Sequence, residues 1–447
     1  MPPQRYAPQY YYRSANPARS GVFKKSLLKP LSRGWARLFP NPRFYGWAIV
    51  GLCVLACALS SPGQSFAISL YIEEVIDSLG ATRLEVSSLY GAMTLLAALF
   101  LPFVGRLADV TTGRRFLTWN LALLAVAIAF FGAAQNLVML AVAFFLLRLL
   151  GQGAIGLGTL TVTVLWFRRY RGRALAVGSL GYAVGELVFP AIILGLIAWV
   201  GWRESLWLVA AFYLVVVVPL YWVLMRRRRD DEPLDGDQKV DDEGDADTPE
   251  YGEVSFELSE TLKMPVFWGL LVSVAVLPLV VTALIFHQLA LFESLQWEAH
   301  WVPLSFMGFA IAGVITTYVT GIILERVPSR FGITAGMGVA VLAVAVAGWG
   351  GSSIGASLAY GALLGSASGI LSAANSLIWP DYYGIEALGA IKGVVNGVRN
   401  GATALGPPLV AWLIGPDEIF SSALWVLAAM SLFAAVVALA MKPPEPS

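Results

Sequence analysis

The sequence predicts an all-α integral membrane protein of twelve transmembrane helices in two six-helix bundles, with both termini cytoplasmic. Three observations carry that expectation. Of 447 residues, 57% are hydrophobic and 13% charged, with mean hydropathy +0.70, whereas a soluble chain carries roughly 25% charged residues. Apolar runs repeatedly reach the ~20 residues that a spanning helix needs, and the short alternating segments of a membrane β-barrel are missing. Basic residues also gather in alternate loops, as the positive-inside rule requires.

Taken in order, residues 1–43 form a basic tail with nine Lys/Arg and no acid. Within it, SGVFKKSLLKPLSRGWARLF (20–39) mixes cations with apolar residues; it reads as an ordinary positive-inside tail or as an interfacial helix. Six runs follow at about 47–71, 86–106, 116–134, 137–166, 174–199 and 204–225, giving a first bundle over 44–225. The linker 226–263 opens RRRRDDEP, and its stretch 230–260 carries fourteen Asp/Glu against one lysine. Such a polar, acidic segment is expected to be disordered and cytoplasmic. Six more runs, at about 264–291, 301–324, 331–350, 353–379, 389–413 and 420–441, make a second bundle over 264–442, with 443–447 as a short tail. Arg106, Arg114, Arg115, Arg168, Arg169, Arg326 and Arg330 fall in the inner loops, whereas the outer loops hold only Arg83 and Arg203.

Two pairs of segments repeat between the halves. GRLADVTTGR (105–114) and GIILERVPSR (321–330) share G-x3-[DE]-x4-R, and each occupies the second inner loop of its half. WFRRYRGRAL (166–175) aligns with WPDYYGIEAL (379–388) at Trp, the second Tyr and Ala-Leu. Matches in two corresponding places argue for a duplicated six-helix unit, the architecture of secondary transporters with a midplane site between repeats.

GRLADVTTGRR resembles the inner-loop signature of the major facilitator superfamily, and RLLGQGAIG (148–156) resembles its fourth-helix motif with altered glycine spacing. FYGW (44–47), WFRRYRGRAL, GWR (201–203), DYYGIE (381–386) and LGPPL (405–409) resemble the monocarboxylate and oxalate/formate porter branch. The resemblance covers about 43–442. It implies alternating access, with Asp109 facing the positive N-terminal end of helix eleven and Glu325 facing helix five. Asp109, Arg114, Glu325 and Arg330 are therefore candidate gating residues. It further implies a substrate-binding cation on helix eleven, although that cation is lysine in oxalate/formate porters. Helix eight carries no Asp or Arg and helix one no Lys, so the proton–lactate mechanism of animal-type carriers is not carried over.

Charges at membrane depth mark functional candidates. Arg148 lies about 11 residues into helix four, roughly 16 Å deep, and Glu186 about 12 residues into helix five, roughly 18 Å deep. They form either a static ion pair or a site in which a desolvated Glu186 cycles a proton. Arg399 is about ten residues into helix eleven, roughly 15 Å deep, with no acid expected on helices eight, ten or twelve. It either snorkels to a wet vestibule or awaits a carboxylate, which guanidinium grips bidentately. Asn375, Asn396, Gln64, Phe66 and Tyr90 are candidate cavity residues; the two amides could equally bond helix to helix. His287, about 23 residues past Met264, is expected near the outer interface. GQGAIG matches a dinucleotide-loop pattern, but no strand precedes it. Its glycines, with Gly158, Gly178, Gly181 and Gly185, are expected to let helices approach closely, and Pro190, Pro407 and Pro408 to bend them.

The sequence thus predicts a multi-pass plasma (inner) membrane transporter of a small organic anion, a monocarboxylate, coupled by H+ symport or anion exchange. It is expected to act as a monomer, without cofactor, metal, nucleic acid or enzymatic activity. The alternatives are a same-fold exporter of a neutral or cationic hydrophobic compound and a non-transporting sensor or assembly factor.

Overall fold

The computed structural model describes residues 42–167, 170–226, 256–384 and 386–444, with backbone only at 42–44 and Asp109. The expectations for the tail helix at 20–39 and for most of the acidic linker lie outside the described residues. Among those residues the chain is helical and forms no β-strand. The first six long helices are α1 (Pro42–Ala58), α2 (Arg83–Val110), α3 (Gly113–Gly132), α4 (Leu137–Trp166), α5 (Arg171–Val200) and α6 (Trp202–Leu224). The second set is α7 (Pro265–Phe286), α8 (Val302–Leu324), α9 (Ser329–Trp349), α10 (Ile354–Tyr383), α11 (Leu388–Ile414) and α12 (Phe420–Ala440).

Eleven helices among the described residues are long and apolar enough to cross a membrane. The twelfth expected crossing, α11, has 27 residues but is not among them. It carries Lys392, Arg399 and two asparagines, which dilute its apolar run.

Helix ends follow local chemistry. Thr82 and Glu85 form a reciprocal capping box at the start of α2, satisfying two otherwise orphaned backbone donors. Asn136 and Ser353 cap α4 and α10 through their side chains. The run read as one helix over 47–71 is instead broken: α1 ends at Ala58, a 3₁₀ turn occupies Ser61–Gly63, and a short helix resumes at Ser65–Ser69. Pro62 supplies the interruption, since it lacks an amide hydrogen to donate. α7 likewise stops at Phe286, one residue before His287, and a separate turn of helix spans Gln288–Ser294. α5 and α11 run on through Pro190 and Pro407–Pro408.

The helix pairings of the first six recur in the second six. α1 packs on α5 as α7 packs on α11; α2 packs on α4 as α8 on α10; α3 packs on α6 as α9 on α12. Side chains repeat the correspondence. Tyr45 of α1 stacks near Trp166 of α4, and Phe267 of α7 near Trp379 of α10. Tyr213 of α6 bonds the Leu59 carbonyl just beyond α1, while Ser273 of α7 bonds the Ala434 carbonyl of α12. Small residues make the closest contacts: a methyl at Gly181 or Gly185 would overlap the backbone or side chains of 54–61, and one at Gly361 or Gly365 would overlap α8. Between the halves, α2 meets α11 and α5 meets α8.

Candidate functional site

The candidate site grows from the break after α1. With the helix interrupted at Pro62, Gly63 presents its carbonyl towards α4, where Gly151 lets the backbones touch; a methyl at either glycine would overlap the other strand of chain. Across from it, Arg148–Ala154 winds as a π-helix, the irregularity often found where a helix carries function. Arg148 is 2% exposed. Its Nη1 donates to Gly63 O at 3.1 Å and to Ser65 Oγ at 3.3 Å. Ser65 in turn shares a 2.7 Å hydrogen bond with the Tyr90 hydroxyl, and the guanidinium lies 5.3 Å from the Tyr90 ring centre. Arg148 Nε and Nη2 are buried with no hydrogen-bond partner among the described residues.

This cluster sits where the halves meet. Tyr90 of α2 packs 4.5 Å from Phe286 of α7, and Phe66 packs 5.8 Å from Phe306 of α8. Gln64 is adjacent but bonds Ser60 Oγ at 3.0 Å. The structure therefore brings together Arg148, Tyr90 and Phe66, with Ser65 joining them.

Glu186 is not the partner of Arg148: no ion pair joins them, and Glu186 makes no hydrogen bond to a described residue. The static pair gives way to backbone chemistry. The broken α1 offers Arg148 a carbonyl and a hydroxyl, while Gly185 turns the α5 face towards Ala58 and Ser61, leaving Glu186 about 100° round the helix. Glu186 is half-buried.

On the second half, Arg399 is half-buried and its Nε is buried without a hydrogen-bond partner among the described residues. It shares a helical stripe with buried Ile391, Val395 and Gly406, and Gly406 abuts Leu279 and Ala283 of α7. No carboxylate pairs with it among the described residues. Helix ten does contain an acid after all: α10 extends to Tyr383 and takes in the exposed Asp381. Asn375 accepts a 3.0 Å bond from Trp379 Nε1 of its own helix, so it braces α10 internally. Asn396 is exposed.

His287 departs from its expected interfacial place. It is 1% exposed, its Nε2 lies 2.9 Å from Pro407 O, and its ring contacts Phe286 and Phe420. The end of α7 at Phe286 folds it inward, where a straight helix would have carried it to the surface.

Of the expected gating residues, the Asp109 side chain lies outside the described residues. Arg114 sits 4.3 Å from the Trp222 ring of α6, Glu325 is exposed, and Arg330 lies 5.1 Å from the Phe331 ring. None of these three makes an ion pair with a described residue.

The cross-bundle latch lies elsewhere. Arg83, the first residue of α2, grips Glu73 through two 2.7 Å bonds and Glu418 through bonds of 2.8 and 3.1 Å. Glu73 belongs to the first half, Glu418 to the loop between α11 and α12. Nearby, a methyl at Gly91 would overlap the Ala404 carbonyl of α11, so the two halves touch backbone to side at this end. Sequence reasoning placed Arg83 in an outer loop and stopped there. A usable signal was present: a cation at a helix N-terminus opposes the helix dipole and calls for acids nearby, which Glu73 and Glu418 supply.

Comparison with known proteins settles the fold's family. The Major Facilitator Superfamily sequence pattern matches residues 53–357 and again 288–447. The chain belongs to the Major Facilitator Superfamily. Superfamily members are transporters, not enzymes, so this is a multi-pass membrane transporter carrying small molecules across a bilayer. Two solved structures of a bacterial homolog to the human lysosomal transporter Spinster, both inward-facing, share the superfamily fold. The unoccupied form has a TM-score of 0.66 and the occupied form 0.69, each at 14% identity over 88% of this chain and 96% of the other. No curated protein sequence matches the chain significantly.

Proposed function

We propose that this transporter moves a small organic anion, a monocarboxylate, by alternating access between its two six-helix bundles, 44–225 and 264–442. One observation carries the reading: each half holds an intramembrane arginine, Arg148 and Arg399, with unmet guanidinium hydrogens and no carboxylate among the described residues. A buried donor left unsatisfied is costly, and a carboxylate cargo meets that need bidentately. Arg148 would hold one carboxylate oxygen beside Ser65 and Tyr90, with Phe66 and Gln64 shaping the cavity. Arg399 would draw the anion from the other half, near Asn396 and Asn375.

Glu186, half-buried and without an ion pair to a described residue, would carry the coupled proton, giving symport; anion exchange is the alternative mode. The resemblance to the monocarboxylate and oxalate/formate branch supports the same cargo. In this reading the termini and the acidic linker 226–263 are cytoplasmic, the Arg83 end faces outward, and the protein is a plasma-membrane monomer. Asp109, Arg114, Glu325 and Arg330 would latch the inner end once it closes.

The test is uptake of labelled monocarboxylate into reconstituted vesicles. Arg399→Gln should lower it at least tenfold, and uptake at the wild-type rate would refute the cargo assignment. A second reading, export of a cationic hydrophobic compound, is favoured only by the free Glu186 carboxylate. It requires that Glu186→Gln abolish transport of an organic cation that Arg399→Gln leaves intact.

A further inference from the structure

One cavity among the described residues lies away from the contact between the halves. It measures about 530 Å³ and is lined by residues of the second half alone, at the ends of α9 and α12 nearest Arg83. That size is within the usual range for small-molecule sites. Its walls are apolar, among them Val344, Gly348, Ile419 and Leu424. Trp349 and Trp425 stand at its rim, 5.3 Å apart, 71% and 61% exposed. Paired exposed tryptophans at helix ends mark the membrane–water interface, so the cavity opens towards lipid headgroups.

One charged side chain lines this apolar space: Glu418. It is the second-half carboxylate of the Arg83 latch, yet its side chain is 46% exposed, leaving one flank for a second donor. Its backbone sits at φ 51°, a left-handed conformation that non-glycine residues adopt at some strain and that clusters at ligand clamps. The formal charge also has room for a cation. Glu73 and Glu418 together outweigh Arg83 by one negative charge, and Asp417 next to Glu418 is exposed.

We propose that this cavity binds a bilayer lipid with an ammonium headgroup, its acyl chain between α9 and α12 and its ammonium on the free flank of Glu418. Source and chemistry agree: the opening faces the membrane, the walls suit a hydrocarbon chain, and the carboxylate at the mouth suits a compact N–H donor. An anionic lipid would meet a negative rim. Because Glu418 also holds Arg83, the bound headgroup shares a carboxylate with the latch and sits beside the gate without entering the transport path.

The experiment uses the full chain in nanodiscs containing phosphatidylethanolamine or phosphatidylglycerol, each with the same photoreactive group in its acyl chain, and maps crosslinks by mass spectrometry. The ethanolamine lipid should label 341–349 and 419–428 at least fivefold more than the glycerol lipid. Glu418→Gln should erase that preference, and Arg83→Gln should retain it, since removing Arg83 frees the carboxylate. Gly348, where an added methyl meets nothing within 4 Å, allows a second variant: Gly348→Leu should fill the cavity and cut labelling by both lipids while Glu418 stays intact. Equal labelling by the two lipids in the wild-type chain, or a preference that survives Glu418→Gln, would overturn the proposal.

Discussion

The two ends of the molecule are built from the same kinds of residue and treat them oppositely. At one end Arg83 ties the halves together through two carboxylates, and Gly91 lets α2 press on the Ala404 carbonyl of α11. At the other end α2 and α11 diverge in character. Phe103 and Leu107 are 63% and 54% exposed, and methyls at Gly389, Gly393 or Gly397 would meet nothing within 4 Å. Arg114, Glu325 and Arg330 are present there without ion pairs to described residues. Charge at a loop does not by itself join the halves; a partner from the opposite half does, as Glu418 does for Arg83. A salt bridge between the halves at one end, with none among the described residues at the other, is the kind of asymmetry that alternating access requires of any single state.

The sharpest way to break this asymmetry is to wedge the closed end. Gly91→Leu would place a four-carbon side chain where even a methyl conflicts with a backbone carbonyl. Overpacking of a tight contact costs about 1–3 kcal/mol, or about 5- to 150-fold in the closed population. The readout is a cysteine at buried Thr94, with Cys53 and Cys57 replaced by alanine, labelled by an impermeant thiol reagent from the Arg83 side. Labelling should rise by that factor, and Gly91→Ala should give a smaller rise in the same direction. Unchanged labelling in both variants would show that the α2–α11 contact does not hold this end shut.

The helices were legible because length and apolarity are local properties, and the duplicated loops because a few residues recur at fixed spacing in corresponding places. The placing of Arg148 and Arg399 inside long helices was also legible, from counting residues along the chain. Partners were not. Arg148 bonds Gly63, a contact that depends on a break at Pro62 hidden inside a run apolar enough to read as one helix. Arg83 and Glu418 are 335 residues apart, and only the docking of one half on the other brings them together. The burial of His287 was missed for the same reason: α7 ends at Phe286, short of the expected 291, and His287 just beyond that end packs on Pro407 and Phe420. Position along the chain is cheap to infer, whereas pairing is a property of the assembled bundles.

Removing the latch itself should have the next largest effect. Arg83→Gln leaves Glu73 and Glu418 facing one another without their cation. Losing one member of a buried pair costs about 3–5 kcal/mol, and an exposed pair about 0–1 kcal/mol. Arg83 is buried, but its partners are 32% and 46% exposed, so about 1–2 kcal/mol is expected, or about 5- to 30-fold more labelling at position 94. Arg83→Lys keeps the charge and loses the planar fork that serves two carboxylates at once, so it should recover only part of the closure. A lysine variant indistinguishable from wild type would reduce the latch to a simple charge effect.

The smallest effect belongs to the end opposite Arg83, and it is the one that separates a state-dependent gate from a decorative charge. Glu325 is exposed and makes no ion pair with a described residue, so labelling at position 94 in Glu325→Gln should change less than twofold. If Glu325 latches the other end once that end closes, the same variant must act on the opposite state. Transport cycles that require both closures would then slow, while the Arg83-end labelling stays near wild type. A variant silent in both assays would mean that the repeated G-x3-[DE]-x4-R loop of the second half satisfies only the positive-inside rule. An increase in labelling at position 94 would be harder still on the comparison, because it would place the influence of Glu325 on the end that Arg83 already holds.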